Sequence, residues 1–278
     1  MTNTRKLAAL CGAAGFALFA ISGTAAADGY EVAAPAAPAE EGRKFTYSFN
    51  IGIYSDYMFR GISQTDNDPT IQGGIDVSWG ILYAGWWASG VDFGGEAATN
   101  DARVEMDWYG GIKPTWGPAT FDFGVLYYSY PGEDWILPVT DGPQLSYLEL
   151  KAGVSGELHK NWVAGFNIYW SPEYFAETGS VWTFEGNTAY TFHQVGPFVP
   201  TINGVVGYLT GDDAAFEAAN GFSEYWYWNA GLSLAVEKLI FDFRYWGTDA
   251  DSAASQNLGC INGICDDRFV FSTKVVLP

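Results

Sequence analysis

Basic residues are scarce in this chain of 278 residues. Lys and Arg number 13 against 32 Asp and Glu, and the formal net charge is −19. Phosphate backbones are bound by basic patches, so this balance argues against DNA or RNA as a partner. We therefore expect no nucleic acid among the partners of this protein.

Long apolar runs are also missing beyond the first 27 residues. No stretch there reaches about 18 apolar residues, so no transmembrane helix is predicted in it. The apolar segment at residues 7–21 follows Arg5 and Lys6 and precedes three alanines at 25–27. A charged start, a short apolar middle and a small-residue site are typical of a cleaved signal peptide. We predict that residues 1–27 direct export and are removed.

Aromatic residues, by contrast, make up 17% of the chain, and they alternate with polar residues. Within residues 181–192, Trp182 and Phe184 fall on one face of an extended chain, and Thr183 and Glu185 fall on the other. Period 2 indicates a β-strand, and ~9–11 residues is the length with which a tilted strand crosses a membrane. Twelve strands are predicted, at residues 45–57, 70–79, 81–92, 103–113, 119–128, 145–157, 161–170, 181–193, 198–209, 224–236, 239–247 and 267–277.

The predicted connections alternate between long and short. The first and every second one after it are long and rich in Gly, Asp, Asn and Pro. Outer-membrane barrels have short periplasmic turns and longer outer loops. The sequence therefore predicts an all-β fold at 44–278: a transmembrane antiparallel up-and-down β-barrel of about 12 strands in the bacterial outer membrane. An Ala/Pro-rich periplasmic leader is predicted at residues 28–43.

Charged residues of these strands fall on the polar face, which should point into the barrel. On the lipid face, Arg or Lys would cost up to ~2–4 kcal/mol near the midplane. The pore-lining candidates are Asp76, Arg103, Glu105, Asp107, Asp122, Glu149, Lys151, Glu185, Asp242 and Arg244. An acidic lumen would favour cations, whereas mutual pairing of these groups would fill the interior. Both alternatives stay open, because twelve strands is a number between that of small barrels filled by side chains and that of large barrels with an open channel. The adjacent Trp86 and Trp87 leave the two faces of the third strand unassigned.

Cysteine and histidine are the rarest potentially reactive residues. Cys260 and Cys265 share a Gly/Asn-rich loop, and export to an oxidising compartment predicts a disulfide between them. A metal site formed by these two cysteines is the alternative, but no further Cys or His lies nearby in the sequence to complete the ligands. His159 and His193 fall at predicted periplasmic turns, and no Gly-x-Ser-x-Gly motif occurs. Because a hydrolase triad needs a histidine beside its nucleophile, we expect no enzyme, and we predict no cofactor and no metal.

One segment carries a family resemblance. Residues 55–76 read Ser-Asp-Tyr-Met-Phe-Arg-Gly-Ile-Ser-Gln-Thr-Asp-Asn-Asp-Pro-Thr-Ile-Gln-Gly-Gly-Ile-Asp. This run resembles the hallmark of the TorF family, a group of porin-like bacterial outer-membrane proteins of otherwise unknown function. The resemblance implies an outer-membrane barrel with suspected transport and brings no established substrate.

The first predicted outer loop contains Asp56, Arg60, Gln64 and Pro69 of that motif. Two interpretations are open for it. The loop could fold inward so that Arg60 pairs with interior carboxylates and constricts the pore. Alternatively, the loop could form a structured segment held against the rim of the barrel. We expect the second.

The predicted function is an outer-membrane, porin-like channel for passive diffusion of small solutes or ions, narrow and mildly cation-preferring. The alternative is a non-conducting structural barrel that acts in surface interactions through its acidic outer loops. Expected partners are outer-membrane lipid and lipopolysaccharide, periplasmic chaperones, the barrel-assembly machinery and small-molecule solutes. Outer-membrane barrels usually finish on an aromatic residue, but this chain ends Val-Val-Leu-Pro, so its assembly signal is atypical.

Overall fold

The computed structural model describes residues 45–93, 101–133, 142–211, 214–250 and 258–278. The predicted signal peptide at 1–27 and leader at 28–43 lie outside the described residues. Twelve long strands run through the described chain: β1 Phe45–Tyr54, β2 Thr70–Trp79, β3 Leu82–Gly90, β4 Val104–Ile112, β5 Ala119–Ser129, β6 Tyr147–His159, β7 Trp162–Ser171, β8 Val181–Thr191, β9 Val199–Gly211, β10 Glu224–Val236, β11 Leu239–Thr248 and β12 Arg268–Leu277.

These strands close into one antiparallel barrel. Each long strand pairs with its neighbours in sequence, and β12 returns to pair with β1, where Thr273 faces Ile53. No long strand of the described chain is left with an open edge, so the ladder satisfies the backbone hydrogen bonds that lipid cannot. The predicted fold of twelve antiparallel strands, with long and short connections in alternation, is confirmed.

The aromatic and aliphatic faces of the strands point outward, as predicted. In β1, Phe45, Tyr47 and Ile51 are each more than half exposed, and outward residues of the other strands continue this apolar belt. The structure also settles the third strand. Trp87 is buried inside, with its ring 5.3 Å from that of Tyr57, whereas the ring of Trp86 lies 6.2 Å from that of the exposed Trp108.

The outer end of the barrel is filled by its long connections, whereas the inner end carries the short turns. The helix α1 (Ala214–Asn220) and two 3-10 turns, Phe175–Glu177 and Leu258–Gly263, lie in these outer connections. Two clusters of buried aromatic and aliphatic side chains pack beneath them. No helix among the described residues is long and apolar enough to cross a membrane.

Candidate functional site

The connection between β1 and β2, residues 55–69, contains a miniature hairpin that we call the loop 1 hairpin. Met58–Phe59 pairs with Ile62–Ser63, and Arg60 and Gly61 form the two-residue turn. Both turn residues have positive φ, 49° and 83°, as in the type I′ turn typical of such hairpins. Asn or Gly usually takes the first of these positions, so Arg60 is an unusual occupant.

Arg60 ends in a buried ion pair with Glu149 of β6. Its two terminal nitrogens lie 2.7 and 2.8 Å from the two carboxylate oxygens, which makes the pair bidentate. Arg60 is 3% exposed and Glu149 is 1% exposed. Burial alone would lower the pKa of Arg60, but the charge of Glu149 and its hydrogen bonds hold that pKa well above its usual value. The expectation that this loop lies against the rim is therefore wrong: the hairpin folds inward.

Aromatic rings surround the same guanidinium group. Its central carbon lies 4.7 Å from the ring centre of Phe59, 5.2 Å from that of Tyr169 and 6.0 Å from that of Tyr174. Such distances allow cation–π attraction, which gains strength where water is excluded. Burial raises the pKa of Tyr174, although the neighbouring Arg60 acts in the opposite direction.

A second contact of the hairpin reaches a different part of the wall. A side chain at Gly61 would meet Tyr227 of β10 at 2.9 Å and Thr248 of β11 at 3.0 Å. Tyr227 in turn donates a hydrogen bond of 2.7 Å to Glu185 of β8. The tip of the hairpin therefore bridges the lumen between β6 and the β10–β11 wall.

Asp56 anchors the base of the loop 1 hairpin. It accepts hydrogen bonds from Ser63 at 2.6 Å and from Thr65 at 2.8 Å, and it pairs with Arg268 of β12 at 2.7 Å. The backbone of Gln64 continues this bracing, because its carbonyl accepts a 2.8 Å hydrogen bond from the amide of Asp92. Pro69, the last loop residue of the motif, is exposed. The residues that carry the family resemblance therefore build and hold the inserted hairpin.

Four predicted pore-lining carboxylates lie in the packed outer half of the interior. Glu105, Asp107, Glu149 and Glu185 are each 0–2% exposed. Glu105 accepts a 2.9 Å hydrogen bond from Tyr57, just before the hairpin. These groups point inward, as the strand pattern predicts, but loop and tyrosine side chains cover them in this conformation. They form part of the packing around the hairpin.

The inner half of the barrel is polar and more accessible. Asp122 of β5 lies 3.0 Å from the amine of Lys151 and 3.8 Å from that of Lys113, and it accepts a 2.7 Å hydrogen bond from Tyr83. Lys113 remains 31% exposed. Asp122 therefore lies between two cations in the inner half of the barrel.

A second inner network centres on Arg244 of β11. Its guanidinium group pairs with Asp242 at 3.0 Å and donates hydrogen bonds to the side-chain oxygens of Asn229 and Asn203. Asp76 of β2 accepts a 2.7 Å hydrogen bond from Tyr109. The candidates of the inner half are thus paired or hydrogen-bonded to other interior groups.

Arg103 does not belong with the interior candidates. It lies just before β4, its side chain is 60% exposed, and it pairs at 2.8 Å with the rim residue Asp92. The alternation of β4 breaks down at its outer end, and this placement corrects the prediction. His159 and His193 are exposed beside the short inner turns. Among the described residues, no three His, Cys, Asp or Glu side chains form a group able to hold a metal ion.

The predicted disulfide between Cys260 and Cys265 is confirmed, and both residues are buried. It closes the turn beside Ile264, whose carbonyl accepts a 2.8 Å hydrogen bond from the amide of Ser63. Asn262 of this turn also accepts, through its carbonyl, a hydrogen bond from Asn67. The disulfide turn thus contacts the loop 1 hairpin directly.

Several interior residues escaped the sequence analysis. Lys113 lies on the same alternation as Glu105 and Asp107, three steps beyond Asp107 and just past the end of β4, so extending that pattern would have found it. Tyr83, Tyr174 and the Arg268 partner of Asp56 carry no comparable signal, because tertiary contacts alone bring them to the site.

Closed antiparallel strands, an outward apolar belt and an interior crossed by a loop define a bacterial outer-membrane β-barrel of porin-like fold. The chain belongs to the family described as "Bacterial protein of unknown function (Gcw_chp)", whose model matches residues 38–276. The TorF name is not confirmed by this match. No curated protein matches the chain.

Two solved porins resemble the barrel. The KdgM porin has a TM-score of 0.53 and 8% sequence identity, with 83% of this chain and 98% of that chain covered. The NanC porin has a TM-score of 0.46 and 11% identity, with the same coverage. At such identities the first likeness establishes the fold alone, and the second, with a TM-score under 0.5, carries no argument.

Proposed function

We propose that this protein is a narrow channel of the outer membrane, through which small solutes or ions diffuse passively when the loop 1 hairpin moves. The observation that carries the proposal is the bidentate Arg60–Glu149 pair inside the barrel. Burying two charges is costly unless close contacts compensate for the lost hydration. A loop that only capped the rim would not need to bury such a pair. An inserted hairpin held at one point is suited to narrowing a lumen and to releasing it.

A mild preference for cations is the finer part of this proposal. The outer half of the interior holds four carboxylates, those of Glu105, Asp107, Glu149 and Glu185, and the hairpin guanidinium pairs with one of them, Glu149. In a low-dielectric passage such an excess attracts cations and repels anions. The inner half opposes this preference weakly, because Lys113 and Lys151 flank Asp122 there.

Planar-bilayer recording of the refolded mature protein tests the channel. We expect discrete conductance steps and, in a salt gradient, a reversal potential whose sign indicates a preference for cations. The Asp122→Asn variant leaves Lys113 and Lys151 without their carboxylate, so cation over anion permeability should fall by about twofold. Asp92→Asn is the matched control, because this carboxylate pairs with the exposed Arg103 at the rim. Equal selectivity of Asp122→Asn and wild type would mean that Asp122 does not contribute to selectivity, and a wild-type reversal potential that indicates no selectivity or anion selectivity would count against the cation preference.

A non-conducting barrel that acts at the cell surface is the second candidate. The dense packing around the hairpin favours it, since Tyr57, Tyr128 and Tyr227 are each no more than 2% exposed. A folded protein that gives no steps at any voltage would support this candidate and exclude the channel. For either candidate we propose the same surroundings: outer-membrane lipid and lipopolysaccharide, with delivery by periplasmic chaperones and insertion by the barrel-assembly machinery.

A further inference from the structure

The surroundings of the Arg60 guanidinium form a cage with the chemistry of a receptor for organic cations. One side is the carboxylate of Glu149, which meets the guanidinium through two hydrogen bonds of 2.7 and 2.8 Å. The other sides are the rings of Phe59, Tyr169 and Tyr174, within 4.7–6.0 Å of the guanidinium carbon. Aromatic faces combined with a carboxylate recognise guanidinium and ammonium groups.

Two of the four groups of this cage are built by the barrel wall and are independent of the turn that presents Arg60. Glu149 belongs to β6 and Tyr169 to β7, whereas Tyr174 lies in the outer connection that follows β7. Tyr128 of β5 donates a 3.1 Å hydrogen bond to Glu149, which helps to orient the carboxylate. The carboxylate and one ring of the cage therefore belong to barrel strands and would remain if the guanidinium were withdrawn.

The backbone conformation of Arg60 indicates that this position holds an arginine for the sake of its guanidinium group. The residue holds φ at 49°, a conformation uncommon for arginine and costly for side chains other than Asn, Asp or Gly. Asn-Gly would form the same type I′ turn with less strain. The strained position therefore serves to deliver a cation.

We propose that the cage is a binding site for solutes that carry a guanidinium or primary ammonium group, with Arg60 as its tethered internal occupant. A free cation of this kind competes with the tethered group, whose effective concentration is in the millimolar range for a short tether. Displacement frees the hairpin tip from β6, and this step rests on the proposed channel function because it opens the lumen. Occupancy of the cage itself does not depend on conduction.

The Arg60→Asn variant tests the site because it keeps a favourable type I′ turn and removes the guanidinium. Glu149 then stays buried without its cation, and we expect the temperature of barrel unfolding, followed by gel mobility, to fall by roughly 10 °C. Methylguanidinium chloride at about 10 mM should restore at least half of that loss, in keeping with a millimolar competitor. Sodium chloride or urea at the same concentration should restore none of it.

Two matched variants separate the cage from general effects. Arg103→Asn removes an exposed arginine, so neither the loss nor the rescue should occur. The double variant Arg60→Asn with Glu149→Gln lacks the carboxylate, so methylguanidinium should no longer stabilise it. Absence of rescue in Arg60→Asn, or equal rescue in the double variant, would overturn the proposal.

Wild-type protein gives a second measurement that does not depend on the folding of any variant. Trypsin cleaves after arginine, and Arg60 is 3% exposed while its cage is occupied by its own side chain. Methylguanidinium should raise cleavage after Arg60 severalfold relative to cleavage after the exposed Arg103. An unchanged ratio would reject displacement. Stabilisation by the ligand without any conductance in bilayers would keep the cage and reject the channel.

Discussion

At the scale of single residues, the interior depends on large tyrosines that lie across glycines. Tyr227 is fully buried and covers Gly207 of β9, where an added Cβ would lie 2.1 Å from the ring. Tyr109 covers Gly85 of β3 in the same way. Without a side chain beneath it, each ring lies flat on the strand and directs its hydroxyl group at a carboxylate. Glycine at these positions is therefore required by close approach.

The Gly207→Ala variant should displace the ring of Tyr227 and lengthen its hydrogen bond to Glu185. Overpacking of this kind costs about 1–3 kcal/mol, and chemical unfolding in detergent should detect the loss. Gly186→Ala in β8 is the control, because the nearest atom to its added Cβ would be 3.8 Å away. Equal stability of the two variants would mean that the tyrosine–glycine contact contributes nothing.

At the scale of elements, the outer connections support one another. The disulfide turn at Leu258–Gly263 packs with α1, Phe222 and Tyr225 in the second buried cluster. Its neighbour Ile264 holds Ser63 of the loop 1 hairpin through a backbone hydrogen bond. A covalent link in the last outer loop thereby stabilises the hairpin that enters the lumen from the first.

Replacing both Cys260 and Cys265 with Ser should destabilise the protein by about 2 kcal/mol, because the closed loop is short. The effect should extend to the hairpin, with faster trypsin cleavage after Arg60 and a higher conductance if the channel proposal holds. Dithiothreitol should produce the same changes in wild type and none in the variant that has serine at both positions 260 and 265. A drop in stability that leaves cleavage after Arg60 unchanged would contradict coupling between the two loops.

At the scale of the whole molecule, charge is distributed unevenly inside an apolar cylinder. The outer half holds four buried carboxylates, one of which pairs with Arg60, whereas the inner half holds paired groups such as Asp122 with Lys151 and Asp242 with Arg244. The outer surface is apolar over the length of the strands. Such a surface is stable only in lipid, so depth in the bilayer should control the cost of a charge on it.

A matched pair of arginine substitutions tests this placement. Val206 points outward near the middle of β9, and Val206→Arg should cost about 2–4 kcal/mol for folding into vesicles. Leu158 points outward at the inner end of β6, and Leu158→Arg should cost roughly 0–1 kcal/mol. If the two substitutions had equal free-energy costs, the apolar belt would not lie in the bilayer core.

Particular residues show how much of this fold the sequence predicts. Trp182 and Glu185 lie on opposite faces of one strand, and that alternation is local, so it predicts both the strand and its orientation. Trp86 and Trp87 defeat the same reasoning, because two large aromatic neighbours fit either face. Their assignment came from Tyr57, which reaches Trp87 from a loop.

The inserted hairpin lies beyond any local pattern. Arg60 and Glu149 are 89 residues apart, and only closure of the barrel brings β6 within reach of the first loop. Period-2 alternation and the sorting of loop lengths by themselves determined the strand number, the lipid-facing side and the membrane. Tertiary structure alone decided which loop enters the lumen and which carboxylate receives its arginine, because both depend on contacts between residues distant in the chain.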